Sequence, residues 1–157
     1  EKTEVLVGDL KGKVVGLLGL TFKPNTDDLR DAPALDVARK LMESGAVVKA
    51  YDPVGMERAK GILTGVEMAP DPYQLAQGCD VLVICTEWNE FKQLDLERVR
   101  NVMNQPMIVD GRNIYEPEVM ANLGFNYCGI GRGYDLDGNP VENNKSKKGE
   151  RLEEVAN

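Results

Sequence analysis

The chain has 157 residues, of which 42% are hydrophobic and 29% are charged, which is typical of one globular domain with a buried core. Its net charge of −7 argues against nucleic acid or an anionic membrane as a partner, but permits an anionic small ligand in a locally basic pocket. No apolar run approaches the roughly 18 residues of a membrane span, and the first residues do not resemble a signal peptide.

The first predicted elements are a strand and a helix. Residues 14–20 are almost wholly apolar, as in a parallel strand that is covered on both faces. The helix that follows has Asp31 as its predicted N-cap, Pro33 in its first turn and Gly45 as its stop. Its buried face is predicted from helical spacing to consist of Ala34, Leu35, Ala38, Leu41 and Met42.

The rest of the chain continues to alternate between strands and helices. Further strands are predicted at residues 47–51, 66–69, 80–85, 107–110 and 125–130, and short helices at residues 56–63, 72–77, 94–103 and 116–122. Such alternation implies βαβ units with right-handed crossovers. We therefore predict an α/β fold, with a Rossmann-like, doubly wound, mainly parallel sheet of about six strands and helices on both faces.

The loop after the first strand carries the strongest functional signal. Lys23 follows the strand directly, and Arg30 lies just before the helix. A cation at the carboxyl end of a strand, in front of a helix, is where an open α/β sheet receives a phosphate. The alternatives are a solvated lysine and an arginine in ion pairs with Asp27, Asp28 or Asp31.

Arg112 follows the fifth strand and should reach the same edge of the sheet as Lys23. Gly111 would let the backbone turn sharply to aim it at a shared ligand, although a surface or helix-capping arginine is the alternative. After the fourth strand, Trp88 and Phe91 would either stack on a base or pack the loop against the domain, and we favour packing.

Two further features have competing interpretations. Asp52, which ends the second strand, fits either a ribose-binding acid or an Asp-Pro turn. Gly16 and Gly19 match a dinucleotide fingerprint poorly, because Phe22 and its neighbours stand where a third glycine is due, and tight packing explains both glycines.

The cysteine and histidine content limits the chemistry of the chain. Cys79, Cys85 and Cys128 fit no zinc pattern, and we expect reduced, mostly buried thiols in a cytoplasmic protein with no metal site. The chain has no histidine, which removes the commonest general base.

Four segments occur together in a known order: GLTFKPNTDDLRDAP at 19–33, YDP at 51–53, TEWNEF at 86–91 and DGRN at 110–113. In this combination the chain resembles the C-terminal, UDP-sugar-binding domain of UDP-glucose 6-dehydrogenases, in the UDP-glucose/GDP-mannose dehydrogenase family. The resemblance covers about residues 12–134. It implies that residues 1–11 end an interdomain linker or helix, and we expect residues 135–157 to be a polar, disordered tail.

The resemblance also implies an activity and roles for individual residues. The family oxidises UDP-glucose to UDP-glucuronate in two NAD-dependent steps, as a cytoplasmic homodimer. Phe22, Lys23 and Arg112 match its substrate-binding positions, and Arg30 matches an arginine that contacts NAD. The family's catalytic cysteine motif and NAD fingerprint have no match here, so we expect no catalytic residue in this chain and no activity from it alone.

Other functions remain open at this point. A dehydrogenase of the same family could act on GDP-mannose or UDP-N-acetylmannosamine instead, although the TEW segment is similar to the UDP-glucose branch. A non-catalytic module that binds nucleotide sugars would use the same basic residues. A purely structural α/β interaction domain would use none of them.

Overall fold

The computed structural model of this chain describes residues 9–129, and within them six strands form one sheet. The strands are β1 (Val14–Leu18), β2 (Val47–Tyr51), β3 (Glu67–Met68), β4 (Val81–Ile84), β5 (Met107–Asp110) and β6 (Asn126–Gly129). The helices are α1 (Pro33–Glu43), α2 (Met56–Lys60), α3 (Pro72–Ala76), α4 (Asn89–Lys92), α5 (Leu96–Val102) and α6 (Pro117–Asn122). The predictions for residues 1–8 and 130–157, which include most of the linker and the whole tail, lie outside the described residues.

The six strands run in the order β3-β2-β1-β4-β5-β6, and every pair of neighbours is parallel. This is the strand order of doubly wound dinucleotide-binding sheets, in which the direction of winding reverses between β1 and β4. Leu18 at the end of β1 is paired with Tyr51 on one side and with Ile84 on the other. The predicted fold class is therefore confirmed.

The core lies on both faces of the sheet, because successive side chains of a strand point to opposite faces. In β4, Val81 and Val83 belong to a cluster that includes α1, whereas Leu82 and Ile84 belong to a cluster that includes α3, α5 and α6. All four side chains are buried. Helices on both faces of a strand that is buried on both sides account for the unbroken apolar pattern of the sequence.

Gly16 and Gly19 allow close packing at β1. An added Cβ at Gly16 would lie 2.7 Å from Leu82 Cδ2. At Gly19, where φ is +98°, it would lie 2.5 Å from Thr86 Cβ and 2.8 Å from the Thr86 backbone nitrogen. The packing interpretation of both glycines is therefore confirmed. The left-handed backbone of Gly19 also explains why β1 ends at Leu18, two residues before its predicted end.

The predicted N-cap of α1 is wrong. Asp31 has a φ of +56°, whereas an N-cap residue needs an extended backbone. Ala32, with φ −74° and ψ 121°, takes the N-cap position without a side-chain hydrogen bond. The helix still begins at Pro33, whose fixed φ suits a first turn. The four-residue helix α4 was not predicted, because one turn is too short to show a periodic pattern.

Within residues 9–129, no helix combines the length and the apolar character needed to cross a membrane.

Candidate functional site

The loops that follow β1, β4 and β5 lie at one edge of the sheet, because these three strands are adjacent and parallel. Lys23 is in the loop after β1, and Arg112 is in the loop after β5. Only β4 separates the two strands. The structure thus brings both predicted cations to the same edge, which is where doubly wound sheets bind their ligands.

Two hydrogen bonds connect residues within the loop that carries Lys23. The backbone N–H of Phe22 donates to the carbonyl of Asp28 at 3.0 Å. The hydroxyl of Thr21 donates to the carbonyl of Lys23 at 3.0 Å. The side chains of Phe22 and Lys23 are both exposed, and 46% of Phe22 remains accessible. Both residues are therefore available to a ligand at this edge.

Asp52 connects three loops of this edge, although it has no exposed surface. Its Oδ2 accepts hydrogen bonds from two backbone groups after β1 and from the side chain of Trp88, and its Oδ1 accepts from two backbone groups after β2. The donors are Leu20 N–H (2.7 Å), Thr21 N–H (3.2 Å), Trp88 Nε1–H (3.2 Å), Val54 N–H (2.9 Å) and Gly55 N–H (2.7 Å). Since the side chain is buried and occupied by these donors, the ribose-binding interpretation is wrong and the Asp-Pro turn is right.

Trp88 and Phe91 pack the loop after β4 against the domain. Only 7% of Trp88 and none of Phe91 is exposed. The Phe91 ring meets the Tyr51 ring edge-on, with centroids 6.2 Å apart, and the Phe91 carbonyl accepts from the Tyr115 hydroxyl at 2.5 Å. Packing, the favoured interpretation, is confirmed, because neither ring has a free face on which a base could stack.

Arg112 is held by two carboxylates. Its backbone N–H donates to Asp110 Oδ1 at 3.0 Å, and its Nε donates to Glu87 Oε1 at 2.6 Å. The hydrogen bond from Arg112 holds the pKa of Glu87 below its usual range. Gly111 and Arg112 form the expected turn after β5, although Gly111 has no positive φ. A glycine is needed there for close approach, because an added Cβ would lie 2.9 Å from the carbonyl oxygen of Ile84.

Thr86 and Glu87, which follow β4, form hydrogen bonds with the loops after β1 and β5. The Thr86 hydroxyl donates to the carbonyl of Thr21 at 2.8 Å, next to the Lys23 loop. Glu87 binds Arg112 on the other side. Among residues 9–129, the Arg112 side chain is held through its Nε by Glu87, and no contact of its Nη1 or Nη2 group is seen there. An anion placed over the end of β4 would therefore have one basic side chain on each side, Lys23 after β1 and Arg112 after β5.

Arg30 forms an ion pair with Asp28, which is the alternative that the sequence left open. Its Nε and Nη2 donate to Asp28 Oδ1 at 3.0 Å and Oδ2 at 2.9 Å, and its side chain is 88% exposed. These hydrogen bonds lower the pKa of Asp28 to about 2. Both residues, with Arg58 and Ile62, line an open depression of about 360 Å³. The ion pair orients the guanidinium at the depression without burying it.

Glu87 and Arg58 are the site residues that sequence reasoning missed. Glu87 stands 25 positions from its partner Arg112, and Arg58 stands 31 positions from Asp27, to which its Nε donates at 2.9 Å. No local pattern relates residues so far apart in the chain. The strand order did offer a signal. Because β4 and β5 are neighbours, the loop that carries Glu87 lies next to the loop that carries Arg112.

The three cysteines are free thiols, and two of them, Cys79 and Cys128, are buried. Burial raises the pKa of Cys79 to about 11 and that of Cys85 to about 12, with Arg112 acting in the opposite direction on Cys85. The expectation that the thiols are mostly buried is confirmed for Cys79 and Cys128, whereas Cys85 is half-buried. Thiols with raised pKa values are poor nucleophiles at neutral pH.

The architecture, with Lys23 and Arg112 on loops at its carboxyl edge, defines a Rossmann-like domain of the nucleotide-binding type. Residues 16–117 match the family model described as the UDP binding domain of the UDP-glucose/GDP-mannose dehydrogenase family. The chain belongs to this family.

Relatives with known names support the same assignment. The chain is 51% identical over 125 residues to the UDP-glucose 6-dehydrogenase of Rhizobium meliloti, covering 80% of this chain and 29% of that protein. It is 43% identical over 133 residues to that of Bacillus subtilis, covering 84% and 29%. A solved UDP-glucose dehydrogenase from Pyrobaculum islandicum superposes with a TM-score of 0.68 at 37% identity, covering 80% and 27%. The chain thus spans less than a third of the length of these relatives.

Proposed function

We propose that this chain is the UDP-binding part of an NAD-dependent UDP-glucose 6-dehydrogenase, which oxidises UDP-glucose to UDP-glucuronate in two steps. The observation that carries the proposal is the 51% identity to the Rhizobium meliloti enzyme across 80% of the chain. The position of Lys23 and Arg112 at one edge of the sheet supports it, because cationic side chains form strong hydrogen bonds with phosphate oxygens. In this proposal, residues 12–134 form the domain that binds the UDP-sugar.

The proposed contacts follow from the chemistry of each side chain. Lys23 offers a mobile point charge, and Arg112 offers a planar fork that matches two phosphate oxygens. Phe22 lies beside Lys23 and presents an exposed ring to the same ligand. Arg30, exposed at the edge of the depression, would contact the anionic NAD cofactor. The other residues that bind NAD are assigned to a part of the enzyme that this chain does not include.

Calorimetry with UDP and UDP-glucuronate tests the binding role. We expect Lys23→Ala and Arg112→Ala each to weaken UDP binding about tenfold or more, because each removes a charge-assisted hydrogen bond. Lys40→Ala and Arg39→Ala, which alter exposed cations on α1, are the matched controls and should leave the affinity unchanged. UDP binding that is insensitive to both site variants would contradict the proposal.

The reaction is tested by NADH production. With UDP-glucose and NAD we expect no turnover by this chain alone and clear turnover by the complete enzyme. Turnover by the chain alone would overturn the expected inactivity, and a complete protein without turnover would favour a non-catalytic nucleotide-sugar module.

The identity of the sugar needs its own comparison. A solved UDP-N-acetylmannosamine dehydrogenase from Pyrococcus horikoshii is 30% identical over 81% of this chain, with a TM-score of 0.65. UDP-N-acetylmannosamine is therefore the second candidate substrate. We expect kcat/KM of the complete enzyme to be higher for UDP-glucose than for UDP-N-acetylmannosamine or GDP-mannose, and the reverse order would reassign the substrate.

We also infer a cytoplasmic location and a homodimeric complete enzyme. The three free thiols support a reducing compartment. The dimer rests on the family resemblance, and sedimentation of the complete enzyme would test it.

A further inference from the structure

Asp52 controls the backbone from which the Lys23 loop begins. Its Oδ2 accepts from the N–H groups of Leu20 and Thr21, at 2.7 and 3.2 Å. These two residues are the last before the exposed Phe22–Lys23 pair. Two backbone N–H groups at the start of the loop are therefore held by one buried carboxylate.

Thr21 transmits this arrangement to Lys23. Its hydroxyl lies 3.0 Å from the carbonyl oxygen of Lys23 and 3.3 Å from Asp52 Oδ2. Both oxygens are acceptors within hydrogen-bond distance of the hydroxyl, and the contact with the Lys23 carbonyl is the shorter of the two. The Thr21 carbonyl accepts from Thr86 at 2.8 Å, and only 1% of the Thr21 surface is exposed. All three polar groups of Thr21 are thus engaged, and one of them holds the backbone of Lys23.

We infer that Asp52 and Thr21 are positioning residues for the phosphate subsite, holding the backbone of Lys23 so that its ammonium meets the diphosphate of the nucleotide. The inference rests on the proposed function of Lys23. A loop that is ordered before the ligand arrives loses less conformational entropy on binding, so its cation contributes more to affinity. Neither residue needs to touch the nucleotide.

The test compares two ligands that differ only in the diphosphate. The dissociation constants of UDP and of uridine are measured by NMR titration of the full chain, since NMR reaches the millimolar range. Asp52→Asn replaces one acceptor oxygen with an NH2 group that faces N–H donors, and this lowers stability. A smaller folded fraction, however, scales both dissociation constants by the same factor. The ratio of the two constants therefore reports positioning and is not altered by partial unfolding.

Thr21 provides the variant that keeps the shape of the site. Thr21→Val replaces the hydroxyl with a methyl group, whereas Thr21→Ser keeps the hydroxyl. We expect Thr21→Val and Asp52→Asn to raise the dissociation constant of UDP about three- to tenfold relative to that of uridine. Thr21→Ser should keep the wild-type ratio. In the Thr21→Val background, Lys23→Ala should have a smaller effect than in the wild type, because the two residues act as a unit.

Failure of this inference and failure of the proposed function would give different results. An unchanged UDP-to-uridine ratio in Thr21→Val and Asp52→Asn, or full additivity of Thr21→Val with Lys23→Ala, would overturn the inference. If Lys23→Ala still weakened UDP binding in that case, the proposed function would stand. If the wild-type chain bound no UDP, both the proposed function and the inference would fall.

Discussion

At the scale of single residues, two buried aspartates arrange the edge of the sheet. Asp52 follows β2 and Asp110 ends β5, and neither has exposed surface. Asp110 accepts from the backbone of its own loop and from the Tyr127 hydroxyl at 2.7 Å, in the same way that Asp52 accepts from its loop and from Trp88. Short charge-assisted hydrogen bonds of this kind hold loops in one conformation. The sequence showed where these carboxylates stand but not whether they face the ligand or the core.

The Asp28–Arg30 pair leads to a prediction about pH. The hydrogen bonds from Arg30 lower the pKa of Asp28 to about 2. A carboxyl whose pKa is lowered in the folded state stabilises the fold at pH values above its pKa in the unfolded chain, which is about 3.9. This contribution is lost as the pH falls through about 2. We expect the NMR titration of the Asp28 carboxyl to have its midpoint near 2, and Arg30→Gln to raise it.

The control for that titration is Arg39→Gln, which changes an arginine that pairs with Asp36 instead. This variant should leave the Asp28 midpoint where it is. An Asp28 midpoint that does not respond to Arg30→Gln would show that the ion pair does not persist in solution.

At the scale of elements, long apolar patterns predicted the strands well, and ends and caps were predicted less well. The β4 side chains are all buried, and the strand stands within one residue of its predicted limits. The end of β1 depended on the backbone of Gly19, and the cap of α1 depended on a left-handed Asp31. Backbone angles at such positions are decided by contacts with other elements, such as the loop that carries Thr86.

Gly16 and Gly19 lead to a prediction about the stability of β1. Gly19→Ala should lower the free energy of unfolding by about 2–4 kcal/mol, because it combines a positive φ with a clash against the Thr86 backbone. Gly16→Ala should cost about 1 kcal/mol, since the nearest atom is the end of the Leu82 side chain, which can shift. Urea unfolding of the two variants measures the difference. Equal losses would contradict the packing described for Gly19.

At the scale of the whole molecule, a continuous parallel sheet with a core on each face holds the site loops on one edge. The central strands β1 and β4 are paired on both sides, whereas β3 has two residues and lies at the edge. Strands with paired neighbours and buried side chains open least often. The most stable part of the molecule is therefore the part from which the Lys23 loop and the Thr86–Glu87 loop extend.

Hydrogen exchange tests this distribution of stability. We expect the amides of β1 and β4 to exchange slowest and those of β3 to exchange fastest among the strands, when each rate is corrected for its intrinsic value. Protection of β3 equal to that of β4 would contradict it.

The sequence by itself determined the order of the six strands and of every helix except α4, and through it the fold and the family. It could do so because apolar periodicity, glycine and proline stops and family motifs are read from residues close together in the chain. It also placed Lys23 and Arg112 at one edge, since parallel topology alone requires this. Only the tertiary structure decided that Asp52 is buried and that Glu87 holds Arg112. These contacts join residues 25 to 36 positions apart, and which donors meet a carboxylate is settled when separate loops pack together.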